Sequence, residues 1–109
     1  MAGFVKGEVV IIPFPFSDLS GSKRRPALVL ADLPGDDILL CQITSQNTKD
    51  NFAVSLNISD FQNGSLPVNS YIRPSRIFTA DKKMIVRSAG RINMIVHQQV
   101  VQNIVRIIN

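Results

Sequence analysis

The sequence is poor in the side chains on which metal-dependent and nucleophilic enzymes rely. Its 109 residues include one cysteine, one histidine and eight carboxylates. Cys41 alone cannot form an internal disulfide, and it provides no repeated metal-ligand spacing. His97 is the only histidine that could serve as a base beside a serine or cysteine nucleophile. The sequence therefore predicts no metal site, no cofactor and no histidine-assisted nucleophile.

The sequence also lacks the segments that carry a chain into a membrane. The N-terminal segment MAGFVKGEVV has no charged region followed by a long apolar run, and no segment approaches the roughly 20 apolar residues of a membrane span. We therefore expect no membrane association, and a single cysteine is typical of a cytoplasmic protein. With 45% apolar and 18% charged residues, residues 1–109 are expected to form one globular domain.

Positive charge, in contrast, is in excess. Twelve Lys and Arg residues against eight Asp and Glu residues give a net charge of +4 and a pI near 9.7. Such a chain favours acidic partners, whether nucleic acid, anionic lipid or an acidic protein. Composition alone does not choose among these three.

Short apolar segments separated by turn-forming residues predict a mainly β protein. These segments are rich in β-branched residues or alternate between apolar and polar positions, as strands do. Six segments have this character: 8–12, 26–33, 38–44, 51–58, 68–73 and 84–93. The basic segment 17–25 between the first two is expected to be a loop, with Pro26 as the first residue of the second strand.

The C-terminal segment has helical periodicity. Asn93 can cap a helix at its N-terminus. The apolar positions that share one helical face are Val96, Val100, Ile104, Ile107 and Ile108, while Gln98, Gln99, Gln102 and Arg106 lie opposite. His97 is expected at the surface or rim of this helix. Strands at short spacing and one helix predict a small, strongly bent antiparallel sheet or barrel with the helix packed on it.

Cations lie at the predicted ends of two strands. Lys23, Arg24 and Arg25 precede the second strand, and Arg73 and Arg76 follow the fifth. Arginine matches phosphate oxygens with two parallel donors and stays charged at any working pH, so RNA is a sensible substrate. Solvated loop charges are the alternative for any single arginine. Arg25 is the exception, because Pro26 and a buried strand should fix its backbone.

Hydroxyl and amide donors follow the third predicted strand. Thr44, Ser45 and Gln46 could orient a phosphate or a sugar hydroxyl. A polar turn after a strand is the alternative, and spacing alone favours the turn.

Three segments, in this order and spacing, resemble the MazF/PemK (Kid) family of toxins from bacterial toxin–antitoxin systems: KGEVVIIPFPF, KRRPALVL and CQITSQ. The segment SYIRPSRIFTADKKMIVRSAGRIN and the terminal helix extend the resemblance nearly to the end of the chain. The resemblance implies an SH3-like (CcdB/Kid/MazF-type) barrel of about six antiparallel strands with a C-terminal helix. It also implies a homodimer and a metal-independent endoribonuclease that cuts single-stranded RNA at short sequences.

The resemblance assigns catalysis to two residues. The family's arginine before proline falls on Arg25, and its threonine at a strand exit falls on Thr44. The resemblance implies that a ribose 2′-hydroxyl attacks the adjacent phosphorus and leaves a 2′,3′-cyclic phosphate and a 5′-hydroxyl. Both side chains would stabilise the charge that grows on the non-bridging oxygens.

Some relatives also use an arginine and an acidic residue two positions later. The arginine matches Arg73, but Ser75 stands at the acidic position. Because serine does not titrate in the useful range, Asp18, Glu8 or water is expected to move the proton instead.

The residues expected to bind RNA around this site are Lys23, Arg24, Ser45, Gln46, Arg73, Ser75 and Arg76. Bases would be recognised by the segments 17–24 and 48–52, where Phe14, Phe16 or Phe52 could stack on an unpaired base. Packing in the core is the alternative for each phenylalanine, and it is the favoured one.

The family resemblance also implies a cognate antitoxin with an acidic tail, expected to lie across the arginine-lined groove. The apolar edges of the first and third strands are candidates for the dimer contact. Two alternatives keep the fold and drop catalysis: a gyrase-poison-like protein and a plain RNA-binding module. The gyrase-poisoning relatives act through a tryptophan-containing C-terminal end, and this sequence has no tryptophan.

Overall fold

The backbone forms one antiparallel sheet followed by a helix in the computed structural model, which describes residues 3–14, 23–46 and 49–109. The seven strands of this sheet are β1 (Glu8–Phe14), β2 (Lys23–Asp32), β3 (Asp37–Thr44), β4 (Val54–Leu56), β5 (Phe61–Gly64), β6 (Ser70–Asp81) and β7 (Arg87–Ile92). Helix α1 comprises Met94–Ile108, and 3-10 turns lie at Ile58–Asp60 and Lys82–Met84. The strands lie in the order β4-β6-β3-β2-β1-β7-β5. The predicted mainly β fold with a C-terminal helix is confirmed.

β5 and β6 differ from the sequence prediction. The predicted loop after residue 58 contains β5. The sequence of β5 lacks the apolar pattern of a strand, because only Phe61 of its four residues is partly buried. The predicted strand 68–73 is part of β6, which continues to Asp81. It continues because a bulge accommodates Pro74, whose ring would interrupt a regular ladder.

The strand order overturns the expectation that the edges of the first and third strands need a partner. β1 lies between β2 and β7, and β3 lies between β2 and β6. The edges are β4 and β5, of three and four residues. Short edge strands offer few unpaired backbone groups to another chain.

The basic run before Pro26 belongs to β2 and is not a loop, contrary to the prediction. Lys23, Arg24 and Arg25 pair with Phe14, Pro13 and Ile12 of β1. Pro26 is tolerated in this interior strand because it pairs only with β1, and the β2–β3 ladder begins one residue later at Ala27.

Both faces of the central strands are buried, which explains their continuous apolar sequence. On one face, Val9, Leu28 and Cys41 pack in a cluster that includes Val100 of α1. The other face carries a second cluster, made of Val10, Ile12, Phe14, Ala27, Val29, Ile38 and Leu40. At about 25 cal/mol per Å² of apolar surface, burial on both faces is the main stabilising contribution in so small a chain.

Helix α1 packs through its first half. The side chain of Asn93 accepts a hydrogen bond from the Val96 N–H at 3.0 Å, as the capping prediction requires. Val100 is buried, whereas Ile108 is 76% exposed, so the apolar face predicted for the whole helix is buried only toward its N-terminus. No helix in the described part of the chain is long and apolar enough to span a membrane.

Two glycines allow β5 and β7 to approach each other closely. Gly64 and Gly90 are register partners with φ angles of +69° and +151°. A Cβ atom on Gly64 would lie 2.1 Å from the Ala89 carbonyl oxygen, and one on Gly90 would lie 2.3 Å from the Asn63 carbonyl oxygen. Neither strand can move away from the other without breaking the β5–β7 hydrogen bonds.

We predict that Gly64→Ala lowers the free energy of unfolding by about 3 kcal/mol or more, because left-handed strain adds to a backbone collision. Gly35→Ala is the matched control, since Gly35 has φ +73° and nothing within 4 Å of a built Cβ atom. The control should lose about 1 kcal/mol from strain alone. Urea denaturation measures both values, and equal losses would contradict the close approach.

His97 is 4% exposed, so the expectation that it lies at the surface or rim is wrong. Burial, together with the nearby charge of Lys6, lowers the pKa of His97 below its ordinary value. Its Nδ1 atom has no hydrogen-bond partner among the described residues. The helix therefore holds a neutral imidazole under the sheet.

Stability should consequently fall as the pH drops below the unfolded-state pKa of histidine, about 6.5. Below this pH, His97 binds a proton in the unfolded chain but stays neutral in the folded chain. Above it, His97 is neutral in both states. We predict a lower melting temperature at pH 5 than at pH 7.5 for the wild type, and a smaller difference for His97→Leu. An equal pH dependence in both proteins would show that other groups titrate there.

Candidate active site

Arg25 and Thr44 lie on the same face of the sheet, on neighbouring strands. The β2–β3 ladder ends at the pair Ala27↔Gln42, and each of the two residues lies two positions beyond it. Residues two apart on a strand share a face, and cross-strand neighbours have Cβ atoms about 5 Å apart. The register thus brings a guanidinium-bearing and a hydroxyl-bearing residue side by side.

The flanking strands extend this row and orient the hydroxyl. Ile12 pairs with Arg25 on one side, and Tyr71 pairs with Thr44 on the other. The Gln46 backbone N–H donates to Thr44 Oγ1 at 3.2 Å. Because the Thr44 oxygen accepts this bond, its own proton remains able to point at an oxygen of a ligand.

A pocket of about 400 Å³ opens where β2 begins and β3 ends. Its lining combines apolar residues with cations and hydroxyls: Ile11, Arg24, Arg25, Pro26, Ile43, Thr44, Ser45, Leu66, Pro67, Val68, Ser70, Val86 and Arg87. Arg87 and Pro26 both pair with Ile11, from opposite sides of β1. Three arginines therefore reach one apolar concavity from two strands.

These three arginines carry charge that no acidic side chain in the described part of the chain neutralises. Among the described residues, Arg24, Arg25 and Arg87 form no ion pair. Arginine stays protonated at any working pH, so the pocket presents a fixed positive potential. Such a site attracts a phosphate or a carboxylate.

The bulge of β6 lies beside this row. Cys41 pairs with Ile77 and Ile43 with Ile72, so four residues of β6 stand against Gln42 alone. Cys41 Sγ donates to the Arg73 carbonyl inside the bulge at 2.8 Å. Burial raises the pKa of Cys41 to about 12. The thiol is therefore a structural donor and not a nucleophile at neutral pH.

Three donors among the described residues contact Asp50 at the bulge. Its Oδ2 atom accepts from Ser75 Oγ at 2.9 Å and from Arg73 Nε at 3.4 Å, and Oδ1 accepts from the Phe52 N–H at 2.9 Å. Burial alone would raise the pKa of Asp50, but these hydrogen bonds and the Arg73 charge hold it below its ordinary value. The carboxylate is therefore ionised at neutral pH and fixed in orientation.

The fold and this arrangement can be compared with known proteins. A sequence model of the PemK-like, MazF-like toxins of type II toxin–antitoxin systems matches residues 5–108. The chain belongs to this family. The predicted resemblance is thereby confirmed over nearly the whole chain. A search of curated proteins finds no match.

Solved structures share the fold at low sequence identity. The MazE–MazF complex (Form-III) of Deinococcus radiodurans is 20% identical with a TM-score of 0.78, covering 98% of this chain and 97% of that one. An endoribonuclease in complex with its cognate antitoxin, from a mycobacterial species, is 14% identical with a TM-score of 0.77, covering 96% and 94%. The MazF toxin mt6 of Mycobacterium tuberculosis is 14% identical with a TM-score of 0.71, covering 91% and 93%.

Four of the other residues predicted for the toxin's site fall into two groups. Arg24 and Ser45 line the pocket with Arg25 and Thr44. Arg73 and Ser75 meet at Asp50 in the bulge. Lys23, Gln46 and Arg76 are exposed and belong to neither group.

Several further expectations fail or lie outside the described residues. Glu8 accepts the Val5 N–H at the other end of β1, so it cannot move a proton at Arg25. Phe14 is 4% exposed and packs edge-on against Phe78, so it lies in the core, the position favoured for it, and not at a base-stacking surface. Phe52 instead lies under the Arg106 guanidinium, 5.9 Å from the ring centroid. Asp18, Phe16, segment 17–22 and Thr48 lie outside the described residues.

Sequence reasoning missed two residues of the site. Arg87 enters the pocket because β7 pairs with β1, a closure between distant segments that no local pattern signals. Asp50 stands 23 residues before Arg73 in a polar connection without periodicity. The segment 48–52, which contains Asp50, is predicted only to recognise bases, and no sequence pattern pairs its carboxylate with Arg73.

Proposed function

We propose that this toxin is an endoribonuclease that cleaves single-stranded RNA without a metal ion, with Arg25 and Thr44 at the scissile phosphate. One observation carries the proposal: in a chain of this toxin family, the β2–β3 register sets guanidinium-bearing Arg25 beside hydroxyl-bearing Thr44. Arg25 has no ion-pair partner among the described residues. The mycobacterial proteins of the same fold are named endoribonucleases, which supports the assignment.

The chemistry needs little from the protein beyond charge and orientation. The ribose 2′-oxygen forms a bond to phosphorus, the bond from phosphorus to the 5′-oxygen breaks, and the 2′-proton finally resides on that 5′-oxygen. Negative charge grows on the non-bridging oxygens, where a guanidinium and a hydroxyl donate. Each such donor lowers the barrier by about 3 kcal/mol in comparable sites. A fixed cation here provides the charge stabilisation that metal-dependent nucleases obtain from an ion.

The test is to incubate the purified protein with a long single-stranded RNA in EDTA and to map new 5′ ends. Cuts should occur at a recurring short sequence, carry a 5′-hydroxyl, and disappear when the cut nucleotide is 2′-deoxy. Arg25→Ala and Thr44→Val should each slow cleavage about 100-fold or more.

Lys83→Ala is the control, because it also removes one exposed positive charge. Lys83 follows the end of β6 that pairs with the start of β3, whereas Thr44 is at the other end of β3. It should cleave at the wild-type rate. RNA that stays intact would refute the enzyme and favour a binding module, while cuts that survive both site substitutions would refute the assigned residues.

The family implies an antitoxin, and we infer that an acidic, partly apolar segment of it occupies the pocket. Arg24, Arg25 and Arg87 suit carboxylates, while Val68 and Val86, 52% and 42% exposed, suit apolar side chains. A disordered acidic segment that orders on this surface gains both charge pairing and buried area. It would cover Arg25 and so block RNA. A homodimer and a cytoplasmic location stay predictions.

An acidic peptide encoded by the reading frame beside the toxin gene should inhibit cleavage and bind in a calorimeter. Arg87→Ala should weaken this binding about tenfold, the loss of one charge-assisted hydrogen bond, while Lys83→Ala leaves it unchanged. A peptide that neither binds nor inhibits, or that is indifferent to Arg87, would contradict this placement of the antitoxin.

A further inference from the structure

We propose that Asp50 is a positioning residue that fixes Arg73 and Ser75 so that the terminal nitrogens of Arg73 bind a phosphate of the RNA next to the scissile one. This inference rests on the proposed endoribonuclease function, and it assigns a role to Asp50, a residue of the segment that the sequence connects only with base recognition. The residues concerned come from the β3–β4 connection and from the bulge of β6.

The first step is that the Asp50 carboxylate is built into the bulge. Its side chain is 9% exposed, and that of Arg73 is 23% exposed. A carboxylate this buried is tolerated only where donors surround it. The Ser75 hydroxyl, the Phe52 N–H and Arg73 Nε are such donors. Asp50 therefore ties the connection to both ends of the segment Arg73–Ser75.

The second step is that the contact with Asp50 leaves the two terminal nitrogens of Arg73 available for a ligand. Arg73 donates to Asp50 through Nε, and no described residue accepts a hydrogen bond from its two terminal nitrogens. A guanidinium has five donors in a rigid fork. Because Asp50 binds only Nε, the two terminal nitrogens of the guanidinium stay available, and they can bind a phosphate through two parallel hydrogen bonds.

The third step is location. Tyr71 pairs with Thr44, and Arg73 follows Tyr71 by two residues on β6. Two residues along a strand span about 7 Å. Arg73 is therefore beside the row that holds Arg25 and Thr44, near enough for one strand of RNA to touch both arginines. The Cys41–Arg73 hydrogen bond fixes the same backbone from below.

Removal of Asp50 distinguishes a positioning role from a simple charge effect, because the two predict opposite changes in RNA affinity. Asp50 is an anion beside an RNA site, so its removal should strengthen RNA binding if it does nothing else. If Asp50 positions Arg73, its removal weakens binding instead. Asp37, exposed at the far end of β3, provides the matched control for loss of one negative charge.

The experiment measures binding of a 20-nucleotide, fully 2′-O-methylated RNA of mixed sequence, which has no 2′-hydroxyl to attack, over a range of salt concentrations. Arg73→Ala should bind about tenfold more weakly, and the slope of log Kd against log salt should fall by about 0.7, the value for one single-strand phosphate contact. Asp50→Ala should bind about three- to tenfold more weakly with a reduced slope, and Asp37→Asn should bind as well as the wild type or better.

The double variant Asp50→Ala/Arg73→Ala decides whether Asp50 acts through Arg73, because it should bind no more weakly than Arg73→Ala alone. Asp50→Asn, which keeps the shape and one oxygen acceptor, replaces Asp50→Ala if the latter does not fold by circular dichroism. Asp50→Glu should recover part of the lost affinity.

Tighter or unchanged binding by the Asp50 variants, or additive losses in the double variant, would overturn the role of Asp50. Wild-type protein that neither binds this RNA nor cleaves unmodified RNA would overturn the proposed function itself. The two failures are distinct, because the first requires a wild type that binds.

Discussion

The pairing register between β2 and β3 is the constraint on which the site depends. It is set by pairs buried on both faces, Leu28↔Cys41 and Val29↔Leu40, and a slip of one residue would exchange the two apolar clusters. The same register sets Arg25 beside Thr44 two residues beyond the ladder. Core packing therefore holds the geometry of the site, although neither residue belongs to the core. Such support lets an exposed pair keep a fixed separation on strands rather than on loops.

Burial on both faces also explains what the sequence reveals about the fold. Continuous apolar runs identified β1, β2 and β3, since a strand covered on both sides needs apolar residues at successive positions. The pair Arg25–Pro26 and the strand exit at Thr44 are local features, but the family resemblance is what assigns them to the site, because spacing alone favours a polar turn at Thr44. Edge strands have no such requirement, and β5, with one partly buried residue, carries no pattern to detect.

The remaining parts of the site arise from tertiary pairings that join distant segments. Asp50 and Ser75 lie 25 residues apart and meet only because β6 bulges beside the β3–β4 connection. Arg87 reaches the pocket through the pairing of β7 with β1. His97 shows the same limit in the core. Its neighbours on the helix suggested a rim position, but the close approach of Gly7, with a built Cβ atom 3.9 Å from Nδ1, shows it buried against the start of β1.

The four arginines at and beside the pocket divide into two electrostatic classes, and the division suits two ligands that exclude each other. Arg73 has its partner in Asp50, so its orientation is determined before any ligand arrives. Arg24, Arg25 and Arg87 have no ion-pair partner among the described residues. An anion that enters the pocket can therefore neutralise them. In the proposed function, RNA phosphates and antitoxin carboxylates would satisfy the same donors, but only a polypeptide would also cover Val68 and Val86. An antitoxin bound in this way would compete for the charge assigned to catalysis and would add apolar burial that the substrate lacks.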